Sequence, residues 1–312
     1  MLTPEQILAD LKTDRVKKVI LDSDMYAEVD DQYALAYCMG CDKIDLLSVS
    51  AAHFDDPGRF ADIKDAMEMG YKEIFRVYDA CGIPHDRYPA FKGAPNSIEK
   101  SGVIAPQDSP AAQNIIKTVK ESDEIVYVLV TGPCTAVVSA YLMDSSIADN
   151  MCVLWLGAHC FDIPNCYVRE CNLDGDYIAG KLLFNLDIPL LLIPCHGNGS
   201  INVVMKADDF LAIEGDSDGA KLYREIYPLQ CTTKEKLSSL EKIMCDLEAP
   251  AIISMPDCVN LSIVTVPAIS DTYRYIWDST RRKILYADCP DNSRIIKDAI
   301  KSINNMLNKE RK

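Results

Sequence analysis

The chain has 312 residues, of which 48% are hydrophobic and 25% are charged, and its formal net charge at pH 7 is −15. A surface this acidic repels phosphate backbones, which argues against nucleic acid as a partner, and the lack of any run of eighteen apolar residues argues against a membrane span. The thirteen cysteines are odd in number and scattered, which argues against a disulfide framework and, without a secretory signal pattern, predicts a cytoplasmic protein.

Short apolar runs alternate with helical patterns over the first 200 residues. After a short amphipathic helix, the predicted strands are residues 19–22, 46–52, 125–131, 152–157 and 189–194. The predicted helices between and after them are residues 31–39, 60–81, 110–120, 136–143 and 177–184. Uninterrupted apolar strands such as IVYVLV are typical of a parallel sheet whose two faces are both covered by helices.

The pattern becomes more helical beyond residue 200. Helices are predicted at residues 207–214, 219–226 and 234–247, late strands that fit a hairpin at 255–285, and a closing helix at 294–307. The whole chain, 1–312, therefore predicts a single α/β domain with a mostly parallel, doubly wound, Rossmann-like sheet, helices on both faces and a helical C-terminal part. In such sheets, ligands bind beyond the carboxyl ends of the strands.

Five carboxylates follow the first predicted strand within ten residues: Asp22, Asp24, Glu28, Asp30 and Asp31. Packing like charges together is costly unless a cation neutralises them. One or two of these acids would be explained by capping the next helix, but five would not. The segment therefore predicts a hard metal ion, calcium or magnesium, held by oxygen ligands.

Two distant positions are candidates to complete such a site. The strand at 125–131 ends at Thr131 in a turn forced by Gly132 and Pro133, which frees a backbone carbonyl beyond the sheet edge. Asp246 precedes an apolar helical stretch, where spacing alone favours a helix cap and a metal ligand about equally.

These segments resemble a known family. DSDMYAEVDDQYAL is similar to the signature of the inosine–uridine-preferring nucleoside hydrolases, Asp-Thr-Asp followed by a loop and Asp-Asp. Four further stretches fit the family in the same order: VLVTGPCTAVVSA, VLWLGAH, RECNLDGDYIAGKLLF and IMCDLEAP. The resemblance covers roughly residues 17 to 255, and it implies hydrolysis of the N-glycosidic bond of a ribonucleoside to free base and ribose.

The resemblance also implies a metal site. In this family the ion is calcium (Ca2+), and a water molecule attacks C1′ of the ribose. When the family's residue roles are assigned to the matching positions of this sequence, Asp24 is a metal ligand and the general base for that water. Asp31, Asp246 and the carbonyl of Thr131 are the further ligands. The implied partner is a small-molecule nucleoside, the implied role is nucleoside salvage, and the implied assembly is a homodimer or homotetramer.

The ribose contacts implied by the resemblance lie on two segments. Asp30 and Asn172 would bond the 2′- and 3′-hydroxyls, and Glu170 and Asn165 would bind the 5′-hydroxyl. Cleavage builds positive charge on the sugar, so nearby carboxylates stabilise the transition state. An acidic site suits a phosphorylated sugar badly, which favours nucleosides over nucleotides.

The sequence departs from the family around the leaving base. Cys245 stands where many members carry a histidine that helps to protonate the base, and nothing in the sequence selects a substitute among His53, His159, Tyr26 and Tyr227. SAAHFDDPGRF replaces a Gly-rich turn, so His53, Asp55 and Asp56 either line the pocket, with His53 as a substrate-binding candidate, or form a polar loop. The spacing from Asn165 to Glu170 is one residue shorter than in the family. Base specificity stays open.

Two other functions fit parts of the pattern. A magnesium-dependent phosphohydrolase also uses Asp-x-Asp at a strand end, as in Asp22-Ser23-Asp24, but it leaves the other matched segments unexplained. A calcium-stabilised nucleoside- or ribose-binding protein without turnover would keep the ribose contacts and lack the acid. Ribose binding without base release would distinguish it from the hydrolase.

Overall fold

The computed structural model describes residues 1–163, 169–226 and 240–309. One large sheet organises these residues, and two short hairpin-like sheets lie beside it. The strands are β1 (Lys17–Ser23), β2 (Ile44–Ala51), β3 (Ala90–Lys92), β4 (Val126–Val130), β5 (Met151–Leu156), β6 (Leu190–Ile193), β7 (Val204–Lys206), β8 (Glu241–Ile243), β9 (Asn260–Thr265), β10 (Ala268–Ile269), β11 (Tyr275–Ile276) and β12 (Lys283–Asp288).

The strands of the large sheet run in the order β3-β2-β1-β4-β5-β6-β12-β9. All neighbours are parallel except β12 and β9, which are antiparallel. The chain builds outward from β1 to β2 and β3, then returns to the other side of β1 with β4. The carboxyl ends of β1 and β4 thus meet at the switch point of the sheet, where open α/β sheets bind ligands. The N–H of Thr131 bonds the carbonyl of Asp22 there at 2.9 Å.

Helices cover both faces of this sheet. They are α1 (Pro4–Leu11), α2 (Asp30–Gly40), α3 (Ile63–Cys81), α4 (Ile98–Ser101), α5 (Pro110–Glu121), α6 (Thr135–Met143), α7 (Cys171–Gly175), α8 (Tyr177–Asn185), α9 (Ala207–Leu211), α10 (Asp218–Glu225), α11 (Glu248–Ser254) and α12 (Asn292–Lys309). Along β1, Val19 and Leu21 pack into a core with α2, α3 and α12, whereas Ile20 packs into a second core with α5, α6 and α8. Because successive strand residues point to opposite faces, a strand buried on both sides must be continuously apolar, as the sequence indicated.

The predicted α/β class, the mostly parallel sheet and the helices on both faces are confirmed. The predicted hairpin in residues 255–285 corresponds to the antiparallel pair β9 and β12. The helix predicted at 234–247 is wrong where the structure describes it, because Glu241–Ile243 forms β8, paired with β7, and Cys245–Leu247 is a 3₁₀ turn. Pairing with the distant β7 overrides the local helical pattern, and residues 234–239 lie outside the described residues.

The late strands β12 and β9 complete the large sheet, with β9 at its edge. None of the helices in the described ranges combines the length and apolar character that a membrane crossing requires. That residues 1–312 form one single domain stays a prediction.

Candidate active site

A cavity of about 750 Å³ opens beside the carboxyl ends of the central strands. This volume lies in the range that small-molecule sites occupy. A carboxylate cluster, defined as Asp24, Asp30, Asp31 and Asp246, lines it together with Thr131. Every residue of this set is buried.

The carboxylates of the cluster come from three elements. Asp24 follows β1, Asp30 and Asp31 form the first turn of α2, and Asp246 lies in the 3₁₀ turn before α11. The cap of α2 is Val29, without a side-chain hydrogen bond, so no acid of the first segment caps this helix. Asp246 likewise does not cap α11, because Leu247 occupies that position. The acids therefore point to a ligand rather than to helix capping.

Like charges are crowded in this cluster. Asp30, Asp31 and Asp246 each bring a carboxylate oxygen within 4.8 Å of the others. Burial and the neighbouring Asp30 raise the pKa of Asp31 to about 7, against hydrogen bonds from Ser23 and Thr131 that lower it. Burial and the other acids raise the pKa values of Asp24 and Asp246 well above the usual range. A bound cation would offset both the burial of these carboxylates and their mutual repulsion.

The donor set fits a hard divalent cation. Lys242 approaches Asp30 to 3.9 Å, but it also pairs with Glu28, so one lysine does not neutralise four carboxylates. Carboxylate and carbonyl oxygens are the ligands that calcium and magnesium prefer. The cluster is therefore a candidate acidic metal site.

The position of Asp24 depends on a glycine in the neighbouring strand end. A Cβ at Gly132 would lie 2.9 Å from the Cβ of Asp24, closer than side chains tolerate. The loop after Asp24 turns through Tyr26, whose φ of 87° is rare for a residue other than glycine. Arg59 donates to the carbonyl of Tyr26 at 3.1 Å and so helps to hold this turn.

Asn172 joins the ends of two strands beside the cluster. Its side-chain nitrogen donates to the carbonyl of Thr131 at 3.1 Å and to that of Leu156 at 2.9 Å. Because both partners can only accept, the orientation of the amide is fixed and Oδ1 remains as an acceptor. The Thr131 carbonyl keeps a second lone pair beyond the one that Asn172 uses.

Glu170 precedes α7 and accepts three backbone N–H groups. Oε1 accepts from Asn172 at 2.9 Å, and Oε2 accepts from Ala158 and Leu173 at 2.8 Å each. Burial nevertheless raises the pKa of Glu170 to about 7. A carboxylate has about four acceptor positions, so one is left for a hydroxyl in the cavity that Glu170 lines.

The other residues expected from the sequence are distributed differently. Asp55 and Asp56 line the cavity, and they pair with Lys100 and Arg59. His53 is absent from the described lining, and its Nε2 instead lies 3.0 Å from Oγ1 of Thr135, behind the cavity wall. His53 lies two residues beyond β2, and its contact with Thr135, the first residue of α6, accompanies its burial. Asn165 and Tyr227 lie outside the described residues.

A second group, the histidine wall, lines the same cavity: Cys195, His196, Ile201 and Cys245. The thiols of Cys195 and Cys245 contact each other, and this contact and burial raise the pKa of Cys245. His196 was missed at the sequence level. It stands three residues beyond β6, so the rule that ligands bind past carboxyl strand ends would have marked it if applied to the segment PLLLIPCHG.

Comparison with known proteins gives a family match. The sequence model of the inosine-uridine preferring nucleoside hydrolases matches residues 19–286, most of the chain. Comparison with curated proteins gives no significant match.

Solved structures share the fold at low sequence identity. A plant nucleoside hydrolase is 15% identical with a TM-score of 0.70, covering 93% of this chain and 99% of that one. A purine-preferring ribonucleoside hydrolase from Gardnerella vaginalis is 18% identical with a TM-score of 0.67, at 93% and 99% coverage. An inosine-guanosine nucleoside hydrolase is 15% identical with a TM-score of 0.69, at 92% and 98% coverage. The family match across residues 19–286 shows that this chain belongs to the inosine-uridine preferring nucleoside hydrolases and is a hydrolase acting on N-glycosyl compounds.

Proposed function

We propose that the chain hydrolyses the N-glycosidic bond of a ribonucleoside to free base and ribose, using a bound calcium ion and Asp24 as the general base. The ligands would be Asp24, Asp31, Asp246 and the carbonyl of Thr131. The observation that carries this proposal is the carboxylate cluster, four buried acids that line one cavity at the switch point of the sheet.

The chemistry of the bond explains why acids would surround it. As the bond from C1′ to the base nitrogen breaks, positive charge develops on the sugar, and fixed carboxylates stabilise it. Asp24 would take a proton from the water that attacks C1′, the role of a general base. When bound, calcium would supply the charge that neutralises the cluster and acidifies the attacking water.

The ribose would be held by the groups that surround Asn172. Oδ1 of Asn172 and the carboxylate of Asp30 would bond the 2′- and 3′-hydroxyls. Glu170 would accept a bond from the 5′-hydroxyl through its remaining acceptor position, with Asn165 as a second candidate. The tight backbone anchoring of Glu170 and Asn172 supports these roles, because a rigid grip fixes C1′ relative to Asp24.

The test is base release from a panel of ribonucleosides, followed by chromatography: inosine, adenosine, guanosine, uridine, cytidine and modified nucleosides. We expect release that stops with chelator and returns with added calcium. Magnesium in place of calcium tests the ion, since magnesium demands a stricter octahedral geometry. Ribose binding without base release from folded, calcium-loaded protein would overturn the proposed turnover and favour a binding protein.

The remaining parts of the proposal concern the cellular setting. The family resemblance supports a homodimer or homotetramer and a role in nucleoside salvage, and the scattered cysteines support a cytoplasmic location. Light scattering at several protein concentrations would measure the assembly directly.

A further inference from the structure

We propose that His196 is the acid that protonates the departing base, an inference that rests on the proposed function. When the bond from C1′ to the base nitrogen breaks, the electron pair stays on the base. A ring nitrogen or oxygen of the base must then take up a proton, unless the base leaves as an anion. The cavity must therefore offer a proton donor in addition to the carboxylate cluster.

The cations that line the cavity are poor donors for this task. Arg59 pairs with Asp56, and Arg169 donates to Asp174 at 2.9 Å and lies over the ring of Tyr273. Lys242 pairs with Glu28. Guanidinium and ammonium groups hold their protons too tightly to release them near neutral pH.

Among the described residues that line the cavity, His196 has the side chain best suited to give up a proton. Histidine is the side chain that most often acts as a general acid or base in enzymes. The neighbouring thiols of Cys195 and Cys245 are weak hydrogen-bond donors by comparison.

The backbone around His196 is rigidly placed. The N–H of Cys195 donates to the carbonyl of Ala158 at 3.0 Å, and the N–H of Cys160 donates to the carbonyl of His196 at 3.1 Å. These two bonds tie the segment after β6 to the segment after β5. A general acid needs such support, because small errors in position reduce its effect.

His159 fixes the same segment from behind. Its Nδ1 accepts the backbone N–H of His196 at 3.3 Å, and the two rings lie 4.7 Å apart at 72°. Its own carbonyl accepts the hydroxyl of Tyr275 at 2.7 Å. His159, Cys195 and His196 also bring possible metal-ligand atoms within 4.8 Å. Because its Nδ1 accepts the backbone N–H of His196, we assign His159 the role of positioning His196.

The proposed step balances as follows. Water gives its oxygen to C1′ and a proton to Asp24, the C1′–N bond breaks, and its electron pair goes to the base. His196 gives its proton to the base, so ribose and neutral base leave. His196 ends deprotonated and Asp24 protonated, and exchange with solvent restores both.

The test compares two leaving groups in the calcium-loaded protein. The first substrate is the nucleoside that the wild type cleaves fastest, and the second is 4-nitrophenyl β-D-riboside, whose nitrophenolate leaves without a proton. For His196→Ala we expect kcat/KM on the nucleoside to fall by about 10²–10⁴-fold, the usual contribution of an acid catalyst. Hydrolysis of the nitrophenyl riboside should stay close to that of the wild type, which also reports that the variant is folded.

His85→Ala is the matched control, because this exposed histidine pairs with Asp79 away from the cavity. It should leave both rates unchanged. Equal losses on both substrates in His196→Ala, or no loss on the nucleoside, would overturn the inference about His196. If the wild type cleaves neither substrate, the proposed function itself fails, and this result is separate from any effect of the variant. His196→Gln repeats the comparison with a side chain of similar length.

Discussion

The carboxylate cluster and the histidine wall line one cavity, but the chain builds them differently. In the cluster, Asp24, Asp30 and Asp31 lie within eight residues of each other, at the end of one strand and the start of the next helix. In the histidine wall, His196 and Cys245 come from segments about fifty residues apart, and His159 supports His196 from a third segment. The first arrangement leaves a dense local signal in the sequence, and the second leaves scattered single residues.

The two regions also differ in the chemistry that each would supply to the reaction. The cluster concentrates buried negative charge, which favours a cation and positive charge on a sugar. The histidine wall combines an imidazole, two thiols and Ile201 in the same cavity, which suits a flat heterocycle and the movement of one proton. A substitution in the cluster should therefore affect every substrate, and one at His196 should affect only substrates whose leaving group needs a proton.

Asp24→Asn should give the largest effect. The amide keeps the shape of the side chain but cannot accept the proton of the attacking water, so kcat should fall by about 10²–10⁴-fold or more. The loss should be equal for the nucleoside and for 4-nitrophenyl riboside, unlike the loss in His196→Ala. Steady-state kinetics on both substrates measures this.

The control for that variant is Asp86→Asn, which removes a carboxylate at an exposed position outside the cavity. It should keep both activities. Full activity of Asp24→Asn would show that Asp24 is not the general base. The carboxylate cluster would then lose the catalytic role that distinguishes it from the histidine wall.

Calcium binding should stabilise the fold through the cluster. A ligand that binds only the folded state adds about 2.7 kcal/mol to the free energy of unfolding when its free concentration is a hundred times Kd. We expect this gain when calcium is added to metal-free protein, measured by urea unfolding. Asp246→Asn replaces one of three crowded carboxylates by a neutral amide, which attracts the cation less, so the same calcium concentration should stabilise it less.

Asp86→Asn again serves as the control, and it should respond to calcium like the wild type. The absence of any gain over a wide calcium range, in protein first stripped of metal, would contradict the metal site. A gain of equal size in Asp246→Asn would place the ion elsewhere.

Local rules brought Asp24, Asp30 and Asp31 together, because these acids follow one predicted strand within eight residues, and the strand-end rule put Thr131 at the same sheet edge. Asp246 joined them only through the family resemblance, because its spacing alone favoured a helix cap and a metal ligand about equally.

Two features depended on contacts between distant segments and could not be predicted in this way. β8 forms because Glu241–Ile243 pairs with the distant strand β7. His196 can be recognised as part of the site only once the ends of β5 and β6 place it beside His159.

His53 illustrates the same limit, since the sequence expected it in the pocket and the structure buries it against Thr135. Burial lowers its pKa to about 4, with the nearby Asp176 and Asp55 opposing and Lys100 adding to the shift. A histidine with a depressed pKa binds its proton less readily in the folded state than in the unfolded chain. Its contribution to stability is therefore complete above about pH 6.5 and is lost as the pH falls toward 4.

The smallest effect that we predict follows from this loss of stability at lower pH. Between pH 7 and pH 5, the uptake of a proton by His53 in the unfolded chain should lower the stability of the wild type by about 2 kcal/mol relative to a variant that lacks this titrating group. His53→Gln keeps a polar side chain beside Thr135 but cannot titrate, so its free energy of unfolding should fall less over this interval. Urea unfolding of both proteins at the two pH values, in the same excess of chelator, measures the difference. Parallel losses would show that His53 is not buried as a neutral imidazole, and would return it to the cavity wall where the sequence had put it.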